Sequence, residues 1–90
     1  MAQLVSITLQ DTGDGRQIAD AIRSDNPGVE TLHMPGALKL DRVGSMIIKR
    51  ETVSEKLGRD WDPQEIHMTM ISMAGNLDED DDFFALSWNR

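Results

Sequence analysis

The stretch TVSEKLGRDWDPQEIHMTMISMAGN, Thr52 to Asn76, decides the fold. It starts a helix, stops it at a glycine, turns through a tryptophan and enters an apolar strand. Thr52 and Glu55 have capping-box spacing, with each side chain placed to accept from the other residue's backbone N–H. Val53 and Leu57 follow on one helical face at i, i+4. Gly58 is then suited to the left-handed residue just past a helix end. A second start comes at once, with Asp62 as N-cap, Pro63 at the first helical position and Glu65 two residues on. That segment is expected to be a short turn of helix, because Ile66 to Met73 reads as strand. On such a strand Met68 and Met70 share one face and Met73 takes the other.

Outward from this stretch, Leu4 to Leu9 alternates apolar and polar residues as a half-buried strand. Asp11 to Gly15 is a turn cluster, with Asp14 the expected N-cap of a helix running to about Ser24. Its apolar face is Ile18, Ala19, Ala21 and Ile22. Asn26-Pro27-Gly28 ends it, since proline biases its predecessor away from the α region. Strands are expected at Val29–Met34, Ala37–Asp41 and Ser45–Arg50, broken at Pro35-Gly36 and Val43-Gly44. After the Thr52 helix and the Ile66 strand come an acidic loop and a last strand, Phe83–Trp88. The order is βαββ followed by βααββ. It implies an α+β fold in a compact single domain spanning 1–90, with two or three short helices packed on small mixed or antiparallel sheets.

With 90 residues, 39% of them apolar, the chain can bury one modest core. The absence of cysteine removes disulfides, thiolate zinc sites and iron–sulfur clusters together. Met1-Ala2-Gln3-Leu4 carries no basic, apolar leader pattern, and no run is as long as a membrane span. A cytoplasmic, soluble protein is expected. Charge is uneven. Residues 1–59 hold eight Lys/Arg and eight Asp/Glu, whereas residues 60–89 hold eight acids and no Lys or Arg. Arg90 brings the formal net charge to −7. Such a balance repels phosphate backbones and anionic membranes, so neither nucleic acid nor membrane is an expected partner. A basic protein surface remains compatible with it.

Few residues invite chemistry. Asp11-Thr12-Gly13 matches the triplet around an aspartic protease carboxylate, and a homodimer could supply the second carboxylate. Polar Gln10 before it and Asp14-Gly15-Arg16 after it make it read as a turn with an N-cap. His33 and His67 sit on separate expected strands without H-x-x-x-H or E-x-x-H spacing, so no metal site is expected. Asp78 to Asp82 lacks the spaced ligands, glycine and terminal glutamate of a calcium loop and reads as a solvated hairpin loop. The glycines form no nucleotide-binding pattern. The methionines Met34, Met46, Met68, Met70 and Met73 serve core filling or adaptable partner contact, the latter suiting Met73 best. Trp61, Leu57 and Gly58 belong to the fold, and Trp88 is expected to be core or half-buried.

One resemblance covers nearly the whole chain. Glu51 and the run Glu55-Lys56-Leu57-Gly58-Arg59-Asp60-Trp61-Asp62, then Glu65 to Asn76 (EIHMTMISMAGN), resemble the small effector proteins of bacterial multicomponent di-iron monooxygenases. So do Leu9 to Ile22 and Asp25-Asn26-Pro27. The nearest branch is the phenol hydroxylase regulatory component, whose members are similarly short. The resemblance implies a cofactor-free, non-catalytic regulatory subunit that binds the di-iron hydroxylase component and works alongside an NADH-dependent reductase. It would modulate substrate access and the coupling of NADH oxidation to oxygen insertion, the di-iron centre lying on the partner. It further implies hydroxylase contact through Ile71, Ser72, Met73, Gly75 and Asn76, with Asn26 and Pro27 as a second contact. Ile71-Ser72-Met73 departs from the methane branch by being bulkier, so substrate-size gating does not carry over from it. A generic acidic interaction module, or a small D-T-G hydrolase, is the alternative.

Overall fold

The computed structural model describes residues 3–88. Met1, Ala2, Asn89 and Arg90 lie outside them, and with them part of the leader argument and the terminal charge. The elements in order are β1 (Leu4–Gln10), α1 (Gly13–Asp25), β2 (Glu30–Met34), β3 (Ala37–Val43), β4 (Ser45–Lys49) and α2 (Arg50–Leu57). A 3-10 turn (Pro63–Glu65) leads into α3 (Ile66–Thr69), then β5 (Met70–Ala74), β6 (Asn76–Glu79) and β7 (Phe83–Ser87). No helix among the described residues is long and apolar enough to cross a membrane.

Two sheets form, with strand orders β2-β3-β1-β5 and β4-β7-β6, and every hydrogen-bonded pair in them is antiparallel. The α+β expectation therefore stands, resolved to two antiparallel sheets. The opening β-α-β unit is split, because β3 inserts between β1 and β2. Register follows from burial: Val5, Ile7 and Leu9 point inward on β1 opposite Arg42, Leu40 and Leu38 of β3. A one-residue slip would turn this whole set to solvent. Sheet one's inner face, α1 through Ile18, Ala19, Ala21 and Ile22, and sheet two through Met46, Ile48, Phe84 and Leu86 share one core with Val53, Trp61 and Ile66. Burying each large aliphatic side chain contributes roughly 1.5–3 kcal/mol.

Several local expectations are corrected. Thr12, not Asp14, caps α1: its Oγ1 accepts from Gly15 N at 3.0 Å. Gly15 is required there, since a Cβ would lie 1.9 Å from the Gln10 carbonyl oxygen. Asp14 instead sits in the first turn, where a carboxylate favours the helix dipole, and pairs with Arg59 at 3.6 Å. The Thr52–Glu55 capping box does not form. Helix α2 follows β4 directly, starting at Arg50, whose N–H donates to the Asp82 carbonyl at 2.9 Å. Gly58 ends α2 at φ 74° as expected, and the capping box of Asp62 and Glu65 is present.

The strand expected from Ile66 begins only at Met70. Pro63 and the Asp62 cap launch a turn that continues as helix through Thr69, with Met70 N–H donating to the Ile66 carbonyl. Ile66 and Met70 are i, i+4 partners, so the apolar pattern fits a helix turn as well as a strand. Met68 consequently sits on α3, 77% exposed, instead of sharing a strand face with Met70. Asp78 and Glu79, expected in a loop, belong to strand β6.

Candidate partner-binding surface

Strand β5 is one outer strand of sheet one and β6 one outer strand of sheet two, and only Gly75 separates them. The chain changes sheets at Gly75, with φ 137°. A Cβ there would meet Val5 Cγ1 at 3.2 Å and Leu86 Cβ at 3.4 Å, one residue from each sheet. Both the backbone angle and the crowding call for glycine. Gly44, at φ 93°, makes the comparable crossing from β3 to β4.

This corner presents the expected contact residues. Thr8 pairs with Ser72 and Leu9 with Met70, so Ile71 is an extra residue bulged from β5. Ile71 is 55% exposed and Met73 38%, while Ser72 and Asn76 are also exposed and Gly75 is half-buried. An edge strand offers unpaired main-chain groups, and the bulge and short length blunt simple strand addition. What remains is an apolar surface of Ile71 and Met73 on a scaffold fixed by the β1 ladder. Leu77 of β6 and Met68 of α3 are further exposed apolar side chains.

Asn26 and Pro27 lie elsewhere. Asn26 is 1% exposed, and its amide is fully engaged. Nδ2 donates to the carbonyls of Ile22 (2.8 Å) and Ile47 (2.7 Å), and Oδ1 accepts from Ile47 N–H at 2.8 Å. Ile47 belongs to β4, at the opposite edge of sheet two from β6. Exposed Pro27 is held by Arg42, whose Nε donates to its carbonyl at 2.9 Å while NH1 donates to Ser45 O at 2.7 Å. The structure thus gathers the first five residues and separates the other two.

The remaining candidates resolve into structural roles. Asp11 pairs with Arg16 at 2.6 Å, and its N–H donates to Gly36 O. The side-chain hydrogen bond from Arg16 Nε to Asp11 Oδ1, reinforced by charge attraction, raises the Arg16 pKa. His33 borders a charged surface groove with Asp11, Arg16, Asp20 and Arg23. His67 Nε2 lies 2.7 Å from Glu79 Oε1. Among the described residues no three His, Asp or Glu side chains gather as a metal site. An open groove of about 620 Å³ between α2 and β4 is bordered by the Arg50–Asp60 pair and lies away from the β5–β6 corner. Trp61 is buried, whereas Trp88 is half-exposed with its indole N–H donating to Leu4 O at 2.6 Å. Leu77 and the His67–Glu79 contact were missed in the sequence reading, and Met68, named there among the possible contact methionines, lies on α3 and not on a strand. For His67 and Met68 the signal was the Asp62-Pro63 helix start, which continues further than the apolar alternation admits.

An exposed apolar strand edge on a two-sheet scaffold is a surface suited to covering by a protein partner. The chain belongs to the MmoB/DmpM family, whose model matches residues 3–87. It is 43% identical, over the full length of both chains, to the phenol 2-monooxygenase stimulatory component DmpM of Pseudomonas sp. (strain CF600). A chain in the solved phenol hydroxylase–regulatory protein complex matches at 50% identity and a TM-score of 0.92, covering 97% of this chain and 100% of that one. The soluble methane monooxygenase regulatory protein B shares the fold at 17% identity and a TM-score of 0.76, over 96% of this chain and 65% of that one.

Proposed function

We propose that this chain is the cofactor-free regulatory component of a multicomponent phenol or aromatic hydroxylase. It binds the di-iron hydroxylase component, alongside an NADH-dependent reductase, and modulates substrate access and the coupling of NADH oxidation to oxygen insertion. The cytoplasm is its proposed location. The observation that carries this reading is similarity to a stimulatory component over the whole length of both chains.

The physical task suits such a surface. A regulatory protein shifts a partner's conformational equilibrium only by binding one state more tightly than another. Complementary surface, and no redox group, is what that requires. The proposed contact is Ile71, Ser72, Met73, Gly75 and Asn76 at the β5–β6 corner. Pro27 is a second contact on a loop that buried Asn26 anchors to β4.

Titrating the protein into a competent phenol hydroxylase and its reductase tests this, with product per NADH followed throughout. A rise that saturates near stoichiometric addition supports it, and an unchanged yield contradicts it. The acidic-module reading predicts instead that binding collapses with salt, because screening removes attraction between exposed charges.

A further inference from the structure

β5 and β6 hydrogen-bond to β1 and β7 respectively, not to one another. Met73 stands across from core Ile7, and Leu77 across from core Leu86, so both side chains lie on the core-facing side of their strands. The two strands therefore border an open side of the core, joined at one end by Gly75. At the other end His67, three residues ahead of β5, meets Glu79, the last residue of β6. Nε2 and Oε1 are 2.7 Å apart, with the ring N–H donating to the carboxylate. The imidazole also stands edge-on to Phe84, with centroids 6.0 Å apart at 71°. Phe84 is the cross-strand partner of Glu79. Between residues 60 and 88 there is no Lys or Arg, and Arg50 reaches the hairpin at its Asp81 carbonyl, leaving His67 as the basic side chain that meets Glu79.

We propose that the His67–Glu79 contact is a clasp that positions the β5–β6 corner for its partner. The inference rests on reading the chain as a hydroxylase regulatory component. Both side chains are more than one-third exposed, so the contact adds little to global stability. It is, however, a side-chain tie from α3, which leads into β5, to the last residue of β6, and β5 and β6 share no ladder. Its loss acts on local opening of residues 70–79, a low-stability motion, and not on the core. A binding surface populated only part of the time binds proportionally more weakly. His67 and Glu79 are thus positioning residues for Ile71, Met73 and Asn76.

Amide hydrogen exchange of the free protein, paired with titration into hydroxylase and reductase, tests the clasp on His67→Ala, Glu79→Ala and the double variant. Each single variant is expected to exchange about fivefold faster across residues 70–79 and to bind about fivefold more weakly, with α1 amides unchanged. The double variant should be no worse than either single one, because both remove the same contact. Glu79→Gln keeps an oxygen to accept from the ring N–H and should bind as the parent does. Unchanged exchange at residues 70–79, or single losses that multiply in the double variant, would overturn the clasp. A parent protein that fails to stimulate a competent hydroxylase overturns the functional reading instead, while the exchange result still decides the clasp.

Discussion

The side chain of Asn26 imitates a neighbouring strand for Ile47, donating to its carbonyl at 2.7 Å and accepting from its N–H at 2.8 Å. The C-terminal end of α1 is thereby bonded to the free edge of β4. A buried amide bonded on both sides tolerates neither shortening nor charge. Asn26→Ala leaves Ile47 polar groups without partners and should cost about 2–4 kcal/mol in urea unfolding. Asn26→Asp places a carboxylate against the Ile22 and Ile47 carbonyls. That repulsion favours the protonated acid in the fold, so the variant should lose stability as pH rises through the ordinary carboxylate range.

Gly75 and Gly13 should behave oppositely. Gly75→Ala combines positive φ with crowding against Val5 and Leu86 and is expected to cost about 1–3 kcal/mol. It should also disturb the β5–β6 corner and weaken stimulation of the hydroxylase. Gly13, at the start of α1, has open space around its Cβ position. Gly13→Ala should be neutral or stabilising by up to about 1 kcal/mol. Thermal melts of the two variants separate the cases.

Arg50 grips Asp60 with two nitrogens, Nε to Oδ1 at 3.2 Å and NH2 to Oδ2 at 3.0 Å. That hydrogen bonding, then charge attraction, holds the Asp60 carboxyl below the ordinary aspartate value. A carboxyl depressed in the fold stabilises above its unfolded pKa, and this is lost as pH falls through the folded value. Asp60→Asn should therefore flatten the acid limb of stability against pH. The change is small, since the pair is exposed, and smaller still in high salt. Denaturant midpoints measured on both proteins from neutral pH downward give the comparison.

Ile71 is bulged from β5 with its side chain largely in solvent. Ile71→Ser should change stability by no more than about 0.5 kcal/mol. Apparent affinity for the hydroxylase should fall about tenfold or more if Ile71 anchors the interface. Parallel melts and titrations check both halves.

Much of this architecture was legible from residue pattern. Val5, Ile7 and Leu9 alternate on β1, Ile18 and Ile22 mark the buried side of α1, and Gly58 ends α2 where a left-handed residue is needed. What escaped depends on distant partners. Helix α2 needs no Thr52 cap because Asp82, on the hairpin, accepts its first N–H. Thr12 caps α1 because Gly15 lets the backbone approach Gln10. Asp78 and Glu79 join β6 because Phe84 and Ala85 supply a ladder that local polarity could not reveal. The proposed contact residues Ile71, Ser72, Met73, Gly75 and Asn76 came from family resemblance and not from residue pattern. Neither gave a sign that Asn26 would be buried and bonded to a residue 21 positions away.

The most direct test of the central claim is the yield of hydroxylated phenol per NADH as this protein is added to a competent hydroxylase and reductase. A steep rise that levels off near one regulatory chain per hydroxylase site, and shrinks for Ile71→Ser, is expected. A yield that stays flat across the titration, with the hydroxylase shown to be active, would contradict it.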